Sequence, residues 1–402
     1  MTLKLKLKKI LIALTIASLL AGCQTSVSES NSKEEISEPA EVEASEKSED
    51  TEEAKEDSSE NDAEVKVENA SYTRLSESEI DYSGKEIGKV KEVTGPLTDY
   101  DEEAFKNEPA YGKPIGVSFG GPLCVSTTIL ADVLGYYKDE GIEIEKVSGG
   151  NSVELAGTGK IDIGASHIAA SIVPAVNGTN IKFFETTQTG CQSLLVTADS
   201  PIKSTKDLVG KKIGLPNGIG SPDHNIVIRF LLRDGIDVDD INWVPVELSA
   251  ATQALESGEV DACLMPDQYS RSFRNEGKLN IIRSITYDTD FTEEPCCVHF
   301  FNGDFLENNP IHAAKVENAL KRTNLYVSDN MEEAAQLIIE NNLAAGDLET
   351  VLQNMKEYHW VVGDDILGNV LKEVLEDYKE GGVIPEDSNV DEILDNIYKP
   401  MN

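Results

Sequence analysis

Cysteines and histidines are the residues of this sequence with the most distinctive chemistry. Cys124 and Cys191 each fall in a loop that follows a predicted strand, and Cys296-Cys297 forms an adjacent pair later in the chain. Buried thiols pack as small apolar groups, form disulfides, or contact a ligand or soft metal ion. Core packing, a Cys124–Cys191 disulfide, and ligand or metal contact all stay open here. The nearby histidines are His167, His224 and His299, whose spacing matches no metal signature.

Three loops in the first half of the chain are candidates for contact with a ligand. Each follows a predicted strand, where glycine lets a backbone approach a ligand closely and the N–H groups that begin a helix favour an anion. Their candidate residues are Gly120, Gly121, Leu123 and Cys124; Ser166 and His167; and Thr189, Gly190 and Cys191. The first loop is alternatively a plain strand–helix turn, and His167 alternatively caps the next helix.

Two further candidate loops lie in the second half of the chain. Gly218, Ile219, Gly220 and Ser221 precede a predicted helix, so several N–H groups could converge on one acceptor. Met265 and Asp267 follow another strand, and the Asp267 carboxylate could bind a cationic or amide group of a ligand. The alternative for Asp267 is that it caps the following helix.

Short apolar runs that alternate with helical patterns predict the elements that carry these loops. Predicted strands include Pro114–Phe119, Ile142–Val147, Ile161–Gly164 and Ile181–Glu185, and the pattern restarts with Lys211–Leu215, Ile241–Val246 and Val260–Leu264. Such alternation indicates two α/β lobes, each with a parallel sheet that has helices on both faces. Ligands of open α/β sheets bind beyond the carboxyl ends of the strands, which is where the candidate loops lie.

The end of the chain is predicted to be helical. Helical patterns lie near residues 311–326, 331–341, 348–358, 365–379 and 390–398. No strand pattern separates these helices, so they are expected to cap an existing sheet.

The first residues have the character of an export signal. Four lysines precede the apolar run Ile10–Leu20, which ends in Leu20-Ala21-Gly22-Cys23. This ending resembles the lipobox of bacterial lipoproteins, and the resemblance implies that Cys23 is diacylated. Residues 1–23 are therefore predicted to be a lipoprotein signal, with the mature protein anchored by lipid on the extracytoplasmic face of the cell membrane.

An acidic segment follows the signal. Residues 24–70 contain 17 acidic residues against 4 lysines and have no aromatic residue. Such a segment buries too little apolar surface to fold, so it is predicted to be a disordered, extended tether. Residues 71–112 carry turn signals and few apolar positions, and they are interpreted as a lead-in segment.

Charge and composition exclude some functions. The formal net charge of the 402 residues is -38, so nucleic-acid phosphates would be repelled and no nucleic-acid partner is expected. Five cysteines remain besides Cys23, and this odd number requires a free thiol or an intermolecular bond in an exported protein. Nothing resembles a Ser-His-Asp set or an ATP-binding loop, so neither catalysis nor a cofactor is expected.

Several motifs resemble one known family. The stretch Asp207–Pro216 is similar to the "DLKGKKIGVP" segment of periplasmic binding proteins, and Glu256–Ala262 is similar to their "xxGEVDA" segment, with Pro266 in step. Ala156–Gly164 repeats the latter in the first lobe, and Gly220–Asn225 is similar to the glycine loop of nitrate and bicarbonate receptors. The resemblance is to the SsuA/THI5-like group, which includes nitrate, sulfonate, taurine and thiamine-precursor binding proteins, over about residues 114–341.

The resemblance implies a type II periplasmic-binding-protein fold with a ligand cleft between two lobes. Lobe 1 would comprise residues 113–195 and 297–402, and lobe 2 residues 196–296. The chain would cross between them near Ser193–Thr197 and Thr292–Val298. It also implies the solute-binding subunit of an ABC importer, which delivers an organic anion or a pyrimidine-like compound to permease and ATPase subunits.

Two other functions compete with the transport receptor. One is a lipoprotein that senses a ligand and signals. The other is an enzyme like the yeast pyrimidine synthases of thiamine biosynthesis, which carry an iron-associated "CCCFC" stretch. Cys296–Phe300 only echoes that stretch, and the export signal argues against a cytosolic enzyme.

Overall fold

The computed structural model describes residues 64–66, 71–77 and 80–401. The strands are β1 (Glu64–Lys66), β2 (Thr73–Leu75), β3 (Glu86–Ile87), β4 (Ile115–Phe119), β5 (Ile144–Ser148), β6 (Ile163–His167), β7 (Ile181–Thr189), β8 (Gln192–Thr197), β9 (Lys212–Leu215), β10 (Asn242–Pro245), β11 (Ala262–Pro266), β12 (Leu279–Ser284), β13 (Pro295–Asn302) and β14 (Val361–Val362). The helices are α1 (Glu102–Asn107), α2 (Thr127–Val133), α3 (Tyr136–Asp139), α4 (Ser152–Gly157), α5 (Ile168–Val176), α6 (Pro222–Arg233), α7 (Ala251–Ser257), α8 (Asp267–Asn275), α9 (Gly303–Asn308), α10 (Pro310–Asp329), α11 (Met331–Glu340), α12 (Leu348–Lys356), α13 (Asp364–Glu380) and α14 (Val390–Ile397).

Two five-stranded sheets form the centres of two lobes. The sheet of the first lobe has the order β5-β4-β6-β13-β7, and that of the second lobe has the order β10-β9-β11-β8-β12. Every residue of β13 is buried, because this strand lies between β6 and β7 with helices on both faces. Trp360, Phe184 and Phe301 belong to the apolar core of the first lobe, and Phe230 and Phe291 to that of the second.

The prediction of parallel sheets is wrong for the strands next to the crossings. β13 runs antiparallel to β6 and β7, and β8 runs antiparallel to β11 and β12. Each of these strands enters its sheet directly from the other lobe, without the helical crossover that parallel neighbours need. The two sheets are therefore mixed.

The crossings lie earlier than the sequence predicted. β7 ends at Thr189 in the first lobe and β8 begins at Gln192 in the second, so the first crossing is Gly190-Cys191 and not residues 193–197. The second crossing comprises residues 285–294, which only overlap the predicted 292–298. The hydrophobic stretch Ser193–Thr197 is a central strand of the second sheet, which explains why its residues are so apolar.

Two short pairings involve segments predicted to lack strands. Glu64–Lys66, assigned to the tether, pairs antiparallel with Thr73–Leu75. Val361–Val362, within the region predicted as helices alone, pairs in parallel with Glu86–Ile87 of the lead-in segment. Two-residue and three-residue pairings leave no periodic sequence signal, so they form where a neighbouring backbone supplies hydrogen bonds.

The lead-in segment is ordered where it is described, and it contacts both lobes. Its start lies on the second lobe, where the Tyr72 ring lies 3.6 Å from the Arg283 guanidinium and Arg74 Nε donates to Asp288 at 2.6 Å. Farther along, Tyr82 N donates to Lys356 O at 2.8 Å and its ring stacks on His359, both in the first lobe. The segment thus forms a connection between the lobes that is additional to the two crossings.

The predicted signal, residues 1–23, and most of the predicted tether, residues 24–70, lie outside the described residues. Among the residues that the structure describes, no helix has the length and apolar character needed to cross a membrane.

Candidate functional site

A cavity of about 360 Å³ opens beside the crossings, beyond the carboxyl ends of β4, β5 and β6. Seven residues nominated from the sequence line it: Gly120, Gly121, Leu123, Cys124, Ser166, His167 and Cys191. Thr189 and Gly190 are absent from its lining. Thr189 is buried beneath it and bonds His359, and Gly190 packs against the ring of Tyr358, which does line the cavity.

Two glycine turns shape the wall that belongs to the first lobe. Gly120 and Gly121 have φ of 93° and 143°, and a Cβ on Gly121 would lie 2.8 Å from a methyl group of Val125. Gly149 and Gly150 make the matching turn after β5, with φ of 82° and 90°. Residues other than glycine rarely adopt these φ angles, and glycine has no side chain, so both loops present their backbone to the cavity.

His167 occupies the end of β6 and begins α5. Its Nδ1 accepts a hydrogen bond from the backbone N–H of Ala169 at 3.0 Å, so His167 does cap the helix. Its Nε2 is buried and has no hydrogen-bond partner among the described residues. Burial lowers the pKa of His167, and the neutral ring then carries its proton on Nε2. The side chain therefore combines a capping role with a free donor at the cavity.

Four thiols converge at the same place, and we call Cys124, Cys191, Cys296 and Cys297 the thiol cluster. The Sγ atoms of Cys124, Cys191 and Cys297 all lie within 4.8 Å of one another. Cys191 Sγ is 2.6 Å from Cys296 Sγ, which in turn is 3.8 Å from Cys297 Sγ. All four are free cysteines. The thiols come from the first loop, the first crossing and β13, so only the folded chain brings them together.

The cluster distributes its protons unequally. Burial raises the pKa of Cys297, but hydrogen bonds from the other three thiols outweigh it and hold that pKa well below its usual range. Burial raises the pKa of Cys191 well above its usual range, and hydrogen bonds to its neighbours raise it further. Cys297 is thus the member best suited to be a thiolate, because the others donate to it.

Asp267, at the start of α8 in the second lobe, is connected by hydrogen bonds to the backbone of Cys191 and does not line the cavity. It is fully buried, and Ser193 Oγ donates to its Oδ1 at 2.6 Å while Thr286 Oγ1 donates to its Oδ2. Thr286 Oγ1 accepts the N–H of Cys191 at 2.7 Å, and Cys191 O accepts the N–H of Asp267 at 2.9 Å. Burial raises the pKa of Asp267, while Arg274 opposes that rise. Met265 is buried in a core cluster of the second lobe.

The second-lobe loop Gly218–Ser221 lies outside the lining of this cavity. Gly220 N donates to His224 Nδ1 at 3.2 Å, so that N–H already has a partner. Asp223 Oδ2 accepts from the backbone N of Asn217 at 2.9 Å, which places a carboxylate next to the loop. Ligand contact by Gly218, Ile219, Gly220 and Ser221 stays a prediction. His299 is also remote, since it is buried in the core and its Nε2 pairs with Thr128 Oγ1.

Sequence reasoning missed part of the lining. The missed residues include Ser118, Phe119, Gly149, Gly150, Asn151, Ser152, Leu155, Gln192, Gln268 and Tyr358. The Gly149–Ser152 loop follows a strand just as Gly120-Gly121 does, so the same rule could have found it. Gln268 and Tyr358 come from α8 and the loop after α12, and nothing in their sequence context signals a cavity.

Comparison with known proteins assigns this chain to a family. The profile described as NMT1/THI5 like matches residues 125–334, just over half of the 402 residues. The chain belongs to the NMT1/THI5-like family. The resemblance inferred from the motifs of the sequence is thereby confirmed.

Two curated relatives of this NMT1/THI5-like chain have different activities. A putative aliphatic sulfonates-binding protein of Escherichia coli is 27% identical over 145 residues, which are 36% of this chain and 45% of that protein. A 4-amino-5-hydroxymethyl-2-methylpyrimidine phosphate synthase of Candida albicans is 25% identical over 225 residues, 51% of this chain and 64% of that protein. The matches therefore span less than two thirds of either relative.

A solved structure confirms the fold of this NMT1/THI5-like chain. The crystal structure of the periplasmic aliphatic sulphonate binding protein of Escherichia coli superimposes with a TM-score of 0.58 at 17% identity. The superposition covers 72% of this chain and 92% of that protein. The fold is thus the two-lobed periplasmic-binding-protein fold, as predicted.

Proposed function

We propose that this protein is the extracytoplasmic solute-binding subunit of an ABC importer. The observation that carries the proposal is the cavity of about 360 Å³ beside the crossings, in a fold of the periplasmic-binding-protein type. Its size suits a small molecule, and its place beyond the strand ends is the usual ligand position of such sheets. Lobes joined by two short crossings can close around a solute by rotating.

The lining suggests the class of solute. Among the described residues that line the cavity there is no Lys, Arg, Asp or Glu, and Phe119, Leu155 and Tyr358 provide apolar surface. A strongly charged anion would give up hydration without a cationic side chain in return. A flat, weakly charged solute would instead pack on the apolar wall and bond Asn151, Gln192 or the glycine backbone. We therefore favour a pyrimidine-like compound over an organic anion.

The name of one relative supports the same class. The Candida albicans protein is a synthase of a pyrimidine phosphate, so a member of this family handles such a ring. That relative is also the reason to keep an enzyme as the second candidate. The sequence of residues 1–23 favours the receptor, because a lipid on Cys23 would hold the protein at the membrane, where permease and ATPase subunits act.

A thermal-shift experiment tests the receptor. Pyrimidines, sulfonates and nitrate are added separately, and a ligand that binds only the native state raises the melting temperature. We expect a pyrimidine to give the largest shift, with the compound recovered unchanged. Turnover of the compound would establish the enzyme instead.

A matched pair of variants tests whether the cavity is where the solute binds. Leu155 lines the cavity and is half-buried, whereas Leu348 is 44% exposed and lies elsewhere. Leu155→Trp should fill the cavity and abolish the shift, and Leu348→Trp should retain it. Equal shifts in both variants would place the binding site elsewhere.

A further inference from the structure

The geometry of the thiol cluster suits a metal ion. Zinc bonds cysteine sulfur at about 2.3 Å, so two sulfurs around one tetrahedral ion lie about 3.8 Å apart. The Sγ atoms of Cys124, Cys191 and Cys297 meet within 4.8 Å, a separation that small side-chain rotations could close. All three residues line the cavity, so an ion held by them would be reached from it.

His167 decides which three side chains can bind the ion. Its ring also lies within 4.8 Å of the sulfurs of Cys191 and Cys296, which makes a second possible set of ligands. Nδ1 is occupied as an acceptor from the N–H of Ala169, so the neutral ring has its proton, and no lone pair, on Nε2. His167 is therefore suited to donate to a thiolate and not to bind the ion. This role would satisfy a buried donor that lacks a partner among the described residues.

We propose that Cys124, Cys191 and Cys297 bind one thiophilic metal ion of the Zn²⁺ class, with a fourth coordination position that faces the cavity. Binding replaces the thiol protons, which pass to solvent, and leaves three thiolates around the ion. Three protein ligands with one open position is the arrangement in which zinc accepts an exchangeable ligand. A solute with a ring nitrogen would complete the coordination.

Cys296 is not needed for this site. It is absent from the lining of the cavity and contributes to a small void behind the crossings, beside Arg229 and Glu294. Its sulfur is nevertheless 2.6 Å from that of Cys191, so these two thiols could be oxidised to a disulfide by an external oxidant. Such a disulfide would remove Cys191 from the site, and it is the alternative that the experiment must detect.

A cobalt titration tests the site directly. The purified full chain is reduced, freed of reductant without oxygen, and titrated with Co²⁺, whose bonds to thiolate give a charge-transfer absorption in the near ultraviolet. We expect saturation at one equivalent, displacement by Zn²⁺, and a change in the visible bands when imidazole occupies the open position. Absence of the thiolate band in protein whose thiols are shown to be reduced would overturn the proposal.

Alanine variants locate the ligands. Cys124→Ala, Cys191→Ala and Cys297→Ala should each weaken Zn²⁺ binding at least about tenfold, the scale on which metal sites respond to lost interactions. Cys263→Ala removes a buried thiol of the second lobe outside the cluster, and it should bind like the wild type. Circular dichroism without metal checks that each variant folds. Wild-type affinity in folded Cys297→Ala would refute the site, as would loss of binding in Cys296→Ala alone.

The involvement of the solute rests on the proposed function, but metal binding does not. If the metal binds and no solute shifts the melting temperature, the receptor proposal fails alone. If a pyrimidine binds the metal-free protein and the protein does not bind added Zn²⁺, the metal-site proposal fails alone. Both proposals hold together when Zn²⁺ raises the affinity for the pyrimidine in the wild type but not in Cys297→Ala.

Discussion

Arg229 on α6 of the second lobe donates from Nε to Asp377 Oδ2 on α13 of the first lobe, at 2.7 Å. Its NH1 also donates to Glu294 in the second crossing at 2.8 Å. The largest influence on the pKa of Arg229 is burial, which lowers it, but the two carboxylates outweigh burial and raise it. One buried cation thus joins both lobes and a crossing, and it stabilises the arrangement of lobes seen here.

Replacing Asp377 tests this link. Asp377→Asn should lower the free energy of unfolding by about 1 kcal/mol, since the bond loses its charge while Arg229 keeps Glu294. X-ray scattering should show a broader range of lobe arrangements. The control is Asp391→Asn, which breaks the exposed pair with Lys372 inside the first lobe and should change neither measurement. Identical scattering for both variants would show that the link does not restrain the lobes.

Cys191 has an unusual backbone conformation. Its φ is 113°, an angle that residues with a Cβ rarely adopt, and it lies in the first crossing. Cys191→Gly should therefore unfold at higher urea than Cys191→Ala, by about 1 kcal/mol in free energy, because glycine relieves the strain that alanine keeps. Equal stability of the two variants would indicate that the crossing relaxes.

The lead-in segment should contribute to stability like a part of the core. Tyr72 is 5% exposed and its ring covers Arg283, so Tyr72→Ala should cost about 3 kcal/mol of unfolding free energy. Tyr72→Phe keeps the ring and loses only a long bond to Ile282 O, so it should be nearly neutral. Urea unfolding of both variants measures the difference. If Tyr72→Ala leaves the free energy of unfolding unchanged, the lead-in segment does not contribute to the stability of the fold.

Burial of His299 predicts a dependence of stability on acid. Burial lowers the pKa of His299 to about 3 from its ordinary value near 6.5. Below pH 6.5 the unfolded chain therefore binds a proton at His299 that the folded chain does not bind. The free energy of unfolding falls as pH decreases from about 6.5 towards 3, by up to about 1.4 kcal/mol per pH unit. In His299→Gln this contribution should vanish, so its unfolding free energy should fall less between pH 6.5 and 4.5. Parallel curves for both proteins would contradict this assignment.

The predicted anchor is testable without any structure of the signal. Cys23→Ala removes the only acylation site in the Leu20–Cys23 motif, so labelled fatty acid should not be incorporated and the precursor should remain unprocessed. Cys263→Ala serves as the control for loss of a cysteine elsewhere. Unchanged labelling of Cys23→Ala would refute the lipobox.

The sequence predicted most elements of the lobes because their periodicity was strong. The patterns at residues 331–341 and 390–398 became α11 and α14 almost residue for residue. β13 was missed as a strand, since Pro295–Asn302 is buried on both faces and its sequence does not alternate between apolar and polar residues. The loops after single strands were found by a local rule, but the thiol cluster depends on the return of β13 beside β6. No local pattern encodes such a distant pairing.

The lead-in segment also sets a limit on how far the cleft can open. Glu77 is bound to Arg274 of the second lobe at 2.9 Å, and Tyr82 is bound to the backbone of Lys356 in the first. Five residue steps connect these anchors, and a fully extended chain advances at most about 3.5 Å per step. While both anchors hold, the Cα atoms of Glu77 and Tyr82 cannot separate by more than about 17 Å. The number of residues between Glu77 and Tyr82 therefore determines how far the two lobes can separate while both contacts persist.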